Sequence, residues 1–137
     1  MTDPTPGPES TAAPSPALVA ELSRRTDVCW VVHAGRSRLV WHTWVDDAAY
    51  VVSGGEEQAR LDVDDGARVE VVLRSADTGG RLLTWPGTVS VVRPGDERWE
   101  PVTAALVAAR LNLRDPADAP LRWAAESVLH RIVPLSC

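Results

Sequence analysis

The sequence predicts a mainly β domain with flanking helices, built as a small six-stranded antiparallel β-barrel. Three observations carry that expectation. Short β-branched and aromatic runs recur from residue 27 to 92, each bounded by Gly, Asp or Pro turns. Helical three- and four-residue apolar spacing flanks that block, at 16–25 and 96–113. The 137 residues, 45% of them apolar, suit one domain with a real core. Five or six short strands with few helices bury their apolar faces most simply by closing on themselves, which also removes exposed edges.

Residues 1–16 form a Pro-, Ser-, Thr- and Ala-rich tail, too poor in apolar surface to offset chain entropy and expected to be disordered. The domain then occupies 17–137. Ser15-Pro16 reads as a helix N-cap followed by proline at the first helical position. Leu18, Val19 and Leu22 give that helix an apolar face, and Arg24-Arg25 suit its C-terminal end. Asp27–His33 is the first strand. The second, 38–45, alternates: Leu39, Trp41, Thr43 and Val45 on one face, Arg38, Val40, His42 and Trp44 on the other. Ala48–Ser53 is the third strand. The fourth, Ala67–Ser75, turns Val69, Val71 and Leu73 inward and Arg68, Glu70 and Arg74 outward. The fifth, Arg81–Val92, contains Pro86-Gly87, which predicts a bulge or an edge position. A helix follows over 96–113. Trp99, Val102, Leu106, Ala109 and Leu113 form its face, expected to cap an open barrel end or to extend toward a partner. The closing Ser127–Leu135 reads as a last strand, with a helix through Trp123–Leu129 as the competitor. Side chains fill a barrel of this size, so a ligand is expected outside it or between subunits.

The formal net charge of -5 disfavours nucleic acid as the main partner. All 14 basic residues are arginine. No signal peptide or membrane-length apolar run is evident, which points to a cytoplasmic protein without a membrane partner. Cys29 and Cys137 make no disulfide framework. His33, His42 and His130 show no metal-ligand spacing, and no serine has a nucleophile-elbow context. Asp62, Asp64 and Asp65 read as turn chemistry and not a calcium loop.

The sharpest local feature is Ser53-Gly54-Gly55 after the third strand. Glycines let backbone N–H groups turn toward an anion. The same residues equally make a plain tight turn. Glu56 and Glu57 follow, and a phosphate monoester carries about -1.5 to -2 charges. A like-charge pair about 4 Å apart costs roughly 4 kcal/mol at an effective protein dielectric. A phosphate there needs those glutamates turned away and Arg38, Arg60 and Arg74 supplying the cations.

The order of elements is a helix, a run of hairpins, a Ser/Gly loop after the third strand, a long fifth strand, a helix and a last strand. It resembles the split β-barrel family of pyridoxamine 5'-phosphate oxidase and its flavin- and deazaflavin-dependent relatives, over roughly 17–135. Arg38 in "RLVWHTW" and Ser53 in "YVVS" match family positions, whereas Glu56-Glu57-Gln58 stands where flavin-binding members carry a basic run. The resemblance implies a homodimer with FMN or deazaflavin in the inter-subunit groove and an oxidoreductase acting on a small-molecule substrate. In that reading Ser53, Gly54 and Gly55 turn donors to the phosphate, Arg38, Arg60 and Arg74 supply charge, and Trp41 or His42 lines the ring. The alternative is a cofactor-free dimeric binding module on the same fold; haem binding, known among split barrels, comes third. Six tryptophans add to the expectation of an interface.

Overall fold

The computed structural model describes residues 14–55, 57–74, 81–109 and 116–135, Arg81 by its backbone only. Helix α1 spans Pro16–Arg25. Ser15 caps it, its Oγ accepting from Leu18 N–H at 3.2 Å, with Pro16 in the first turn. The helix thus begins at the last residue of the stretch assigned to the tail. Residues 1–13 and Cys137 lie outside the described residues.

Seven strands follow, where six were expected: β1 Val28–His33, β2 Arg36–Trp41, β3 Thr43–Val45, β4 Ala48–Ser53, β5 Arg68–Arg74, β6 Arg81–Val92 and β7 Val128–Pro134. They form one antiparallel sheet in the order β2-β1-β5-β6-β7-β4-β3. The two edge strands, β2 and β3, are consecutive in the chain, so the sheet is curled until its edges meet at His42. The correction has a clear cause. The run 38–45 keeps one alternation, but changes partner midway: Trp41 pairs with Val28 of β1, and Thr43 with Tyr50 of β4. Between them His42 N–H leaves both ladders and donates to Asp27 O at 2.9 Å.

Two apolar clusters sit on the two faces of this sheet. The inner one gathers Val31, Val40, Val51, Val71, Trp85 and Ile132, with Val19 of α1 closing one end. The outer one lies beneath helix α2 (Trp99–Ala109) and helix α3 (Ala119–Glu126), and includes Tyr50, Val52, Leu106, Trp123 and Leu129. Strand β4 serves both clusters, so all six of its residues are buried and its sequence shows no alternation. Strand β5 alternates as predicted, with Val69, Val71 and Leu73 inward. The expected barrel-capping role of the 96–113 helix is corrected: α2 covers the outer flank, and α1 is the element that packs on the interior. Leu113 lies outside the described residues.

Pro86 neither bulges nor sits at an edge. Its pairing with Glu70 of β5 is in register, and its carbonyl accepts from Leu135 N–H at 2.9 Å, just past the end of β7. The missing donor falls on the last rung, where it is tolerated. The sheet's register shift is instead at Leu73/Arg74. Gly87 is required for packing: a Cβ there would lie 2.7 Å from Ile132 Cγ2. The C-terminal alternatives both occur side by side, α3 ending at Glu126 and β7 beginning at Val128.

Candidate functional site

Ser53 ends β4 fully buried, and its Oγ accepts from Leu61 N–H at 3.0 Å. Gly54 N–H donates to Gln58 O at 2.9 Å; Gly54 O accepts from Glu57 N–H at 3.1 Å and from Ser127 Oγ at 3.0 Å. Gly54 and Gly55 both have left-handed φ, +89° and +62°. A Cβ on Gly55 would lie 2.9 Å from Glu126 Cβ, so the turn is packed onto the α3–β7 junction. The Ser53 hydroxyl and Gly54 amide thus serve the turn itself. Glu56 lies outside the described residues; Glu57 is half-buried.

The structure places the three arginines in different surroundings. Arg60 is exposed and adjoins the turn, its Nε 3.7 Å from where a Gly54 Cβ would be. Arg38, in β2, faces a hollow of about 100 Å³ at the β1–β2 hairpin, with His33, Arg36 and Asp62. Arg74 ends β5 on the opposite face, in a hollow with Trp30 and Ser37.

Trp41 and His42 are likewise separated, because adjacent residues point to opposite faces. Trp41 packs against the outer cluster. His42 is buried beneath α1, its Nε2 donating to Ser23 O at 3.0 Å, and burial holds its pKa below the usual histidine range. His42 Nδ1 is buried without a partner. His130 faces inward from β7 beside the same loop region, donating to Val63 O at 3.2 Å; burial lowers its pKa as well, with nearby Arg60 acting in the same direction.

The side chain that organises this region is Gln58, which sequence reasoning passed over. Its Oε1 accepts from Trp41 N–H at 2.8 Å, and its Nε2 donates to Trp41 O and Val52 O, both at 3.0 Å. A primary amide carries the same donor–acceptor pair as a backbone rung, so Gln58 pairs with Trp41 where β2 ends. A glutamine just after a glycine turn was the available signal.

His33 is the third histidine and the one not fully buried. Its Nδ1 lies 3.2 Å from Arg68 O. A carbonyl only accepts, so Nδ1 carries the proton and Nε2 of the neutral ring carries the lone pair. Arg36 and Arg38 share its hollow. Among the described residues no group of three or more His, Cys, Asp and Glu side chains could hold a metal ion alone. Cys29 is buried, its thiol pushed up to about 12 by desolvation, which makes it unreactive.

The helices cover only one flank. On the other, the outer face of β1, β2 and β5 presents Val28, 49% exposed, and Leu39, 55% exposed, with Trp30, Val32 and Val72 half-buried between them. The register makes this one surface, since Trp30 pairs with both Leu39 and Val72. Leu82 on β6 is also exposed. Of the six tryptophans, Trp85 and Trp123 are fully buried and Trp44 packs edge-on to Trp85, so most of the indole surface fills cores in a chain without Phe.

No helix among the described residues is long and apolar enough to cross a membrane. No family model matches the chain, and no curated protein does. A solved structure, that of HutZ, described as the heme storage protein from Vibrio cholerae, is similar with a TM-score of 0.58 at 15% identity, over 88% of this chain and 90% of that one. At that identity the likeness is one of fold: the curled seven-stranded sheet is split-barrel-like.

Proposed function

We propose that this chain is a binding module that pairs with a second copy through the uncovered face of β1, β2 and β5, and that its ligand is a planar anionic cofactor of the haem class. The observation that supports the ligand is the His33 hollow. His33 offers a lone-pair nitrogen whose ring is oriented by the Arg68 carbonyl, as metal-binding imidazoles commonly are. Arg36 and Arg38 in the same hollow suit the carboxylates of a porphyrin. Asp62 opposes them with one carboxylate. At about 100 Å³ the hollow would hold only part of such a ligand. The neighbour described as a heme storage protein is in keeping with this reading. Bound haem would supply the iron; the chain would supply the His33 nitrogen to hold it and the Arg36 and Arg38 counter-charges.

A flavin is the second reading, favoured by Arg60 beside Gly54. The Ser53–Gly55 turn fits a flavin phosphate less well, because Ser53 is fully buried and Gly54 N–H already donates to Gln58 O.

Hemin titration followed through the Soret band tests the first reading. His33→Ala is expected to change the Soret position, and Arg36→Ala with Arg38→Ala to weaken binding about tenfold with the band unmoved. An unchanged spectrum in His33→Ala would remove the haem assignment. FMN titration by Trp fluorescence quenching, with Arg60→Ala as control, tests the second reading. Light scattering measures the oligomeric state independently of either ligand.

A further inference from the structure

The cavity between the first turn of α1 and the end of the barrel belongs to neither reading. It encloses about 520 Å³, within the range of small-molecule sites. Trp44 contributes indole surface with the buried Trp85 packed edge-on behind it, and Pro14, Pro16, Pro86 and Pro134 contribute rigid apolar walls whose φ is fixed by their rings. The polar residues on it are Ser15, already capping α1, and the exposed Asp46 and Asp47 of the β3–β4 turn, which also border a second hollow with Arg98 and Arg131. Among the described residues no Arg or His lines it. Asp47 lies 3.6 Å from Arg131 but is 81% exposed, a weak pairing. Asp46 has no ion pair among the described residues.

We infer that this cavity binds a small apolar molecule bearing an ammonium or similar cationic group. Apolar walls recognise the body of such a ligand. The carboxylates attract its charge, and the Trp44 indole would add cation–π attraction. The N-terminal end of α1 contributes a partial positive charge of about one half, which two carboxylates exceed. The same balance disfavours phosphates and propionates here, so the cavity selects against the cofactors discussed above. A competing role for Asp46 is to complement the α1 dipole, and the test separates the two.

Phenethylammonium, hexylammonium, hexanol and hexanoate serve as probes, followed by saturation-transfer NMR on the full chain. Saturable binding of the two ammonium compounds, weakened by added salt, with little binding of hexanoate, is expected. Asp46→Asn should weaken ammonium binding several-fold, and Asp46→Asn with Asp47→Asn about tenfold, the sum of two exposed ion-pair contributions. Hexanol binding should be unaffected by either change. Ala20→Leu, which puts bulk into the wall, should abolish binding of all three. Equal affinity for hexanoate and hexylammonium would overturn the inference. So would a double variant that binds ammonium like the wild type but melts lower, which would assign the carboxylates to the helix dipole alone. Absence of saturation by either ammonium compound would also refute it.

Discussion

Replacing Gln58 gives the most direct measure of what the loop after β4 is for. Its amide makes three hydrogen bonds to the backbone of Trp41 and Val52 at 2.8 to 3.0 Å. Gln58→Ala leaves one N–H and two carbonyls without that partner. Each buried unpaired group costs about 1–3 kcal/mol. The site is part-buried, so water reaches some of it, and the low end applies: about 3 kcal/mol in all. For a chain of this size that lowers Tm by roughly 10 °C. Gln58→Glu is the sharper variant. It keeps the acceptor for Trp41 N–H but sets a carboxylate against two carbonyl oxygens. It should be at least as destabilised at neutral pH, and its deficit relative to wild type should shrink on acidification, when the carboxyl regains a donor. Urea unfolding, read by far-UV circular dichroism and by Trp fluorescence, supplies both numbers. A loss below about 0.5 kcal/mol in Gln58→Ala, the range of ordinary surface changes, would refute the role given to this side chain. So would a Gln58→Glu protein as stable as wild type at neutral pH.

Gly55→Ala should cost about 1–3 kcal/mol, since it combines a left-handed φ with a 2.9 Å approach to Glu126 Cβ; urea unfolding at wild-type stability would contradict the packing of the turn. His42 and His130 are held neutral by burial, with pKa values lowered from 6.5. The unfolded chain therefore binds more protons than the folded one as pH falls below that value. Stability is full above about pH 6.5 and declines below it, by up to ~1.4 kcal/mol per pH unit for each histidine; chemical denaturation at pH 7.5 and 5.5 measures this, and His42→Asn should flatten the slope. Val28→Asp with Leu39→Asp, on the uncovered face, should convert a dimer to a monomer in light scattering while leaving the circular dichroism spectrum intact. A dimer that persists would move the interface elsewhere.

What the sequence could and could not reveal follows from which interactions leave a periodic trace. The β5 alternation was legible because one of its faces is solvated. The strand break at His42 was not, because Arg38, Val40, His42 and Trp44 keep one parity across it while the partner strand changes from β1 to β4. Partner identity is a long-range property, and hydrophobic period is blind to it. The N-cap of α1 was legible for the opposite reason: Ser15 and Leu18 are three residues apart. The Ser53–Gly55 turn shows the limit most clearly. Its composition is common to an anion cradle and a packed corner, and what separates the two is Ser127 and Glu126, over seventy residues away, together with Leu61 and Gln58. Local chemistry therefore proposed a phosphate loop, whereas Gln58 and Leu61 draw the amide and the hydroxyl into the turn and Ser127 and Glu126 pack that turn as a corner. A group already satisfied inside the protein must lose that bond before it can hold a ligand, which subtracts about 1 kcal/mol per bond from any affinity. The glycine turn is therefore a poor seat for a ligand. Groups with no partner among the described residues are better placed for a ligand: the Nε2 of His33, the guanidiniums of the hairpin mouth and the Asp46 carboxylate.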